Sequence, residues 1–280
     1  MRHHSLWAIA GFLTSTVLGA QASLPTLQSS PRGPVTVIRV GPGVEPPALS
    51  TVDFSPVISA NCERKLSGKV ELSLLVDTTG KAQNIGFIKP EASDIDRLAV
   101  VVAQMDRFTP GHLGSDAIVI GESLELELKG CIVGTVDGTG HKTYRLLLAS
   151  PPKQKLKPYD SFPGEVVFAT ESLPPDPRSG IASRKYRVGG SVSAPKPITT
   201  PEAEYSPEAR RNKISGECLI SVFVDVFGLP EYPMIVRPLE PSLDQKALEA
   251  VSRYRFRPAM RNGIEPVPTM VTVEVNFRLG

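Results

Sequence analysis

The sequence predicts an α+β protein in which one small fold occurs twice, each time as an antiparallel three-stranded sheet packed on one face by two helices. Three observations lead there. A long segment returns in unbroken register 148 positions later. Within each copy the apolar residues pass from a period of two to helical spacing and back. Proline, 27 residues in all, is dense between Pro151 and Pro207, between the two copies. The 280 residues suffice for two modest domains, and 41% hydrophobic with 21% charged residues is ordinary for a globular chain. With 31 basic against 29 acidic side chains the net charge is +2. So near a balance gives no electrostatic footprint for nucleic acid, which is set aside as a partner.

The repeat begins upstream, where Val40 to Pro47 matches Val188 to Pro195. It continues with Lys65-Leu66-Ser67-Gly68 against Lys213-Ile214-Ser215-Gly216, and with Leu72 to Asp77 against Ile220 to Asp225. Gly80 then falls on Gly228, Ile95-Asp96 on Leu243-Asp244, Phe108 on Phe256 and Pro110 on Pro258.

In the second copy Ser206-Pro207-Glu208 reads as an N-cap, a proline at the first helical position and a first-turn acid, starting a short helix toward Ile214 that Gly216 ends. Cys218, Ile220, Val222 and Val224 alternate with Leu219, Ser221, Phe223 and Asp225, which predicts a strand with one buried face. Turn residues from Asp225 to Gly228 return the chain through Met234-Ile235-Val236 as a hairpin. Leu243, Ala247, Val251 and Tyr254 share a helical face, with Ser242 as cap. Val271, Val273, Val275 and Phe277 then alternate with Thr272, Glu274, Asn276 and Arg278 in a closing strand, dry on one face and wet on the other. The first copy repeats the pattern with Val70, Leu72, Leu74 and Val76 inward, closing on Leu124, Leu126 and Leu128.

The expected organisation is a leader at 1–22, a degenerate first domain at 35–131, a proline-rich linker with short strands at 132–187, and a second domain at 188–280. In the leader, Arg2, His3 and His4 precede an apolar run from Leu6 to Ala20, and Ala20-Gln21-Ala22 supplies a small-x-small cleavage site. That run falls short of the roughly 20 residues of a membrane-spanning helix, so export to the periplasm with cleavage after Ala22 is expected, the alternative being an uncleaved anchor. In such an oxidising compartment two of the three cysteines can pair. Cys218 reads as a small buried hydrophobe. Cys62–Cys131, bracketing the first copy, is the preferred bridge, with both thiols free as the alternative.

From Pro201 onward the order of motifs resembles the C-terminal domain of TonB, the energy transducer that contacts outer-membrane transporters in Gram-negative bacteria. The carriers are Glu204-Tyr205-Ser206-Pro207 with Ala209, Gly216, Val224-Asp225 with Gly228, Leu243-Asp244 with Ala247, Arg253 to Pro258, and Val273 to Phe277. The resemblance implies binding and not catalysis: the last strand is a sheet edge that takes up a transporter's extended TonB box as an added strand. Carried over, that edge is Val271, Thr272, Val273, Glu274, Val275, Asn276 and Phe277. It also implies transporter contact just before the first helix, at Glu202, Glu204 and Tyr205, where the family's tyrosine is kept and its Gln-Pro is not.

Ser73 with Asp77 and Ser221 with Asp225 lack a histidine base in the second copy and are read as solvent-facing strand residues, not a hydrolase site. His3, His4, His112 and His141 lack the convergent spacing of a metal site, and no cofactor is expected. Arg253, Arg255, Arg257 and Arg261 read as a solvated rim or as a site for an anionic partner such as cell-wall glycan. A structural envelope protein that self-associates as a homodimer or attaches to the cell wall is the competing function.

Overall fold

A computed structural model describes residues 33–136, 138–140, 142–169 and 186–279; the expected leader lies outside them. The first half contributes β1 (Val35–Ile38), β2 (Arg64–Val76), β3 (Ala82–Lys89), α1 (Ser93–Met105) and β4 (Asp116–Val136). Next come β5 (Lys142–Leu148), β6 (Lys153–Pro158) and β7 (Glu165–Val166). The second half contributes α2 (Pro207–Arg211), β8 (Gly216–Val224), β9 (Pro230–Arg237), α3 (Pro241–Ser252), β10 (Arg255–Arg257) and β11 (Thr269–Phe277).

In the second half β9, β8 and β11 form an antiparallel three-stranded sheet in that order. Cys218, Ile220, Val222 and Val224 are fully buried on its inner face. Leu243, Ala247, Ala250 and Val251, at i, i+4, i+7 and i+8 of α3, close over them. Ser206 caps α2 by accepting the N–H of Ala209 at 3.0 Å. Three local expectations need correction. The short helix stops at Arg211, and Gly216 opens β8 rather than ending the helix. The cap of α3 is Glu240, whose Oε2 accepts the N–H groups of Ser242 and Leu243 at 3.1 and 3.0 Å. The outward-facing Phe223 is only 1% exposed.

The first half departs further from the expected three strands and two helices. Its sheet has nine strands, with the path β7-β1-β4-β2-β3 and with β5 and β6 also paired to β4. Among the described residues its only α-helix is α1, and a 3-10 turn at Ser55–Val57 stands where the other half has α2. Its N-cap is Phe54, whose side chain accepts no hydrogen bond, so a longer helix lacks the capping residue that Ser206 supplies to α2. Strand β4 runs 21 residues, past Cys131, and two segments of the stretch read as a linker, β5 and β6, fold back along it.

Equivalent details recur in both halves. Asp77 and Asp225 each close a turn: their N–H groups donate to Lys81 O and Leu229 O at 3.0 and 3.1 Å. Their Oδ1 atoms accept two further backbone N–H groups each, which is why Asp77 is 5% exposed rather than solvent-facing as expected. Gly80 and Gly228 have φ of 75° and 84°, and their carbonyls accept the N–H groups of Phe108 and Phe256 at 2.9 and 3.0 Å. A Cβ on Gly228 would lie 1.8 Å from Phe256 O. Backbone meets backbone there, in a left-handed conformation, so Gly228→Ala is expected to lower unfolding stability by about 2 kcal/mol. Urea denaturation of the two proteins measures it.

The two halves do not stand apart. All elements from 31 to 280 belong to one compact unit. Leu229 is part of the first core, with Phe227 and Ile198 packed against it. Asp96 on α1 accepts the Nε–H of Arg255 on β10 at 2.7 Å, both side chains being about 1–2% exposed. Beside them Arg97 pairs with Glu231, and Ser93 Oγ donates to Ser252 O at 3.1 Å.

A candidate strand-docking edge

Strand β11 pairs along its whole length with β8, from Thr269 opposite Val224 to Phe277 opposite Gly216. Among the described residues its other side is bridged only at Thr269, in parallel to Tyr186. From Met270 to Phe277 that outer edge has no strand partner among the described residues. Such an edge presents backbone N–H and C=O groups available to another strand. The alternation is as the sequence suggests: Val275 and Phe277 are buried, Val271 and Val273 half-buried, Thr272, Glu274 and Asn276 exposed.

The residues just before α2 face this edge across a groove of about 510 Å³. One wall is Thr200, Glu202, Ala203 and Tyr205, the other is Glu274 to Arg278, and Tyr254 joins them. Of the three candidate contact residues the structure thus brings Glu202 and Tyr205 to the strand. Glu204 stays out of the groove, exposed and 3.6 Å from Lys246 Nζ.

Tyr205 is held from two sides. Its hydroxyl donates to Ile214 O at 2.9 Å, and its ring meets Phe277 edge-on with centroids 5.5 Å apart. The Arg210 guanidinium lies 5.4 Å from the same ring. The tyrosine therefore both packs the core and offers a rigid ring to the groove. Tyr254 is 9% exposed, and burial raises its phenol pKa above the ordinary value. Asn276 Nδ2 donates to Glu274 Oε1 at 2.8 Å and orients that carboxylate at the rim. Charged groups here are Glu202, Glu274 and Arg278, so the lining is acidic by one charge.

Residues 201–279 match the family model described as the Gram-negative bacterial TonB protein C-terminal. This segment is a TonB C-terminal domain. No curated protein matches the chain. The matched span starts at the groove wall and ends just past β11, so the whole docking edge lies within the TonB C-terminal domain.

The remaining candidates fall elsewhere. A disulfide joins Cys62 to Cys131, with Cα atoms 5.1 Å apart, on the first sheet and away from the groove. Cys218 is free and fully buried, its thiol pushed up to about 12 by burial and by Asp244. The basic run is not the solvated rim it was read as. Arg255 is buried against Asp96, Arg257 is exposed, and Arg261 pairs with Glu265 and reaches Tyr186 OH at 3.2 Å. Among the described residues no cluster of three His, Cys, Asp or Glu could hold a metal ion, and no helix is long and apolar enough to cross a membrane.

What sequence reasoning missed is Arg255 as an internal ion-pair partner. The signal was obscured because Asp96 lies 159 positions away and an arginine between two other arginines reads as surface.

Proposed function

We propose that this chain is a periplasmic TonB-like binding module that engages TonB-dependent outer-membrane transporters by adding their extended TonB-box segment to β11. The observation that supports it most is the open outer edge of β11 facing the wall at 200–205 in a domain of the TonB family. Strand addition suits such an edge: main-chain hydrogen bonds supply affinity, and alternate side chains entering a groove supply specificity. Tyr205 and Tyr254 offer apolar surface to the guest, and Glu202 and Glu274 offer a carboxylate from each wall. Val271 to Phe277 is the guest's partner strand in this reading. The chain comprises two related units, at 35–131 and 188–280, the second of which carries the open edge. Export by a leader at 1–22 places it where transporters expose their TonB boxes.

The test is titration of TonB-box peptides into the isotopically labelled full chain. Backbone amide shifts concentrated along Val271 to Phe277 are expected, with dissociation constants in the micromolar range typical of short extended peptides that lose freedom on binding. Unmoved amides at those positions would remove the reading. Concentration-dependent dimerisation without peptide binding would favour self-association instead.

A further inference from the structure

The first sheet shows what a filled edge of this kind looks like. Leu72 and Ile220 are repeat mates, and they lie opposite Leu124 and Val273 respectively. Leu124 on β4 therefore holds the place of Val273 on β11, and by the same register Glu125 that of Glu274 and Leu126 that of Val275. Even the single bridge to β11 has its counterpart: β1 meets Ile120 in parallel through Ile38, as Tyr186 meets Thr269. Among the described residues one element has no counterpart on β11. Strand β6 lies antiparallel along β4, Lys155 opposite Glu125 and Leu156 opposite Leu124.

The chemistry of that strand alternates. Lys153 pairs with Glu127 at 3.2 Å and Lys157 pairs with Glu125, both on the wet face. On the dry face Leu156 packs against the first core, and Gln154 Nε2 donates to Asp106 Oδ2 at 2.6 Å. Asp106 sits at the C-cap of α1. Its repeat mate is Tyr254, which lines the groove beside β11. The place of Gln154 thus faces an aromatic ring in the second unit.

We propose that β6 is a built-in occupant that closes the first unit's acceptor edge, and that the open β11 edge takes a partner strand of the same kind. That strand runs antiparallel to β11. It carries a basic residue opposite Glu274 and apolar residues opposite Val273 and Val275, the latter against Tyr254. The first edge is unavailable to partners, and β11 is left as the docking strand among the described residues. The inference rests on the strand-addition reading but goes beyond it in orientation, in charge and in excluding the first edge.

The test uses the full chain and two ten-residue peptides, the sequence of residues 151–160 carrying Q154L and the same peptide with its three lysines changed to glutamate. The lysine peptide is expected to shift β11 amides and to bind about fivefold tighter than the glutamate peptide, since like charges opposed across strands repel where opposite charges attract. Glu274→Lys is expected to reverse that preference. A nitroxide on the peptide N-terminus is expected to broaden Asn276 and Phe277, and one on its C-terminus Val271 and Thr272. Binding at β11 with the reverse order of broadening, or with no charge preference, overturns this inference and leaves strand addition standing. So does perturbation of β4 amides from Glu122 to Glu127. If neither these nor TonB-box peptides move β11, the strand-addition reading itself falls.

Discussion

Arg255→Ala is expected to destabilise the folded chain by about 3–5 kcal/mol, the cost typical of stripping one partner from a buried ion pair. The guanidinium is fully buried, donates through Nε to Asp96, and lies 5.8 Å from the Phe87 ring. Burial drives the two groups away from their charged forms: it raises the Asp96 pKa and lowers that of Arg255, and each partner opposes the shift in the other. Desolvation thus offsets much of their attraction, and the intact pair adds little net stability. Removal of the arginine is another matter, because the Asp96 carboxylate then stays in a dry interior without its counter-charge. It would retain only the Glu91 N–H at 2.8 Å. A double-mutant cycle adding Asp96→Asn separates the two effects. The second substitution is expected to recover a large part of the loss, because an amide has no charge to strand. Urea unfolding of the four proteins measures the coupling, and a cost below about 1 kcal/mol for Arg255→Ala would mean that the two halves do not share this pair in solution. Since α1 and β10 belong to different halves, a large coupling also reports that the halves fold as one body.

The second half was legible because its stability comes from burial at regular spacing. Cys218, Ile220, Val222 and Val224 form the dry face read from their alternation, and α3 covers them through Leu243, Ala247 and Val251. The turn at Asp225 to Gly228 was legible for a different reason: only a few residue types fit its backbone. Strand β6 was not legible. Its sequence, KQKLKP, shows one apolar residue, and what holds it to β4 is a set of lysine–glutamate pairs and one Gln154–Asp106 hydrogen bond. Hydrophobic periodicity is blind to cross-strand charge pairing, and proline density in the neighbourhood argues for a linker. The docking edge was legible as a strand, but its groove was not. The wall at Thr200 to Tyr205 is irregular chain, placed by the Tyr205 hydroxyl on Ile214 and by ring contact with Phe277. Neither contact leaves a local pattern in sequence.

Loss of the Cys62–Cys131 disulfide is expected to cost about 4 kcal/mol, on the chain-entropy account of a cross-link spanning 69 positions. The bridge ties the segment entering β2 to the last third of β4, where Cys131 lies opposite Lys65 on one side and Leu147 of β5 on the other. It therefore holds together three strands at the point where the chain turns to cover the first edge. A Cys62→Ser/Cys131→Ser variant, unfolded in urea beside the parent, measures the cost. The same variant is expected to show faster amide exchange in β5 and β6 than in β11, because only the first sheet loses its staple. Cys218 supplies an internal control. Its thiol is buried and its pKa is about 12, so native protein is expected to give no reaction with a thiol reagent, and denatured, unreduced protein one equivalent. Three equivalents from denatured, unreduced protein would show the bridge unformed, and reduction would then change neither stability nor exchange. One equivalent, together with a loss near 4 kcal/mol, would place the staple among the largest single contributions to the fold and tie it to an oxidising compartment.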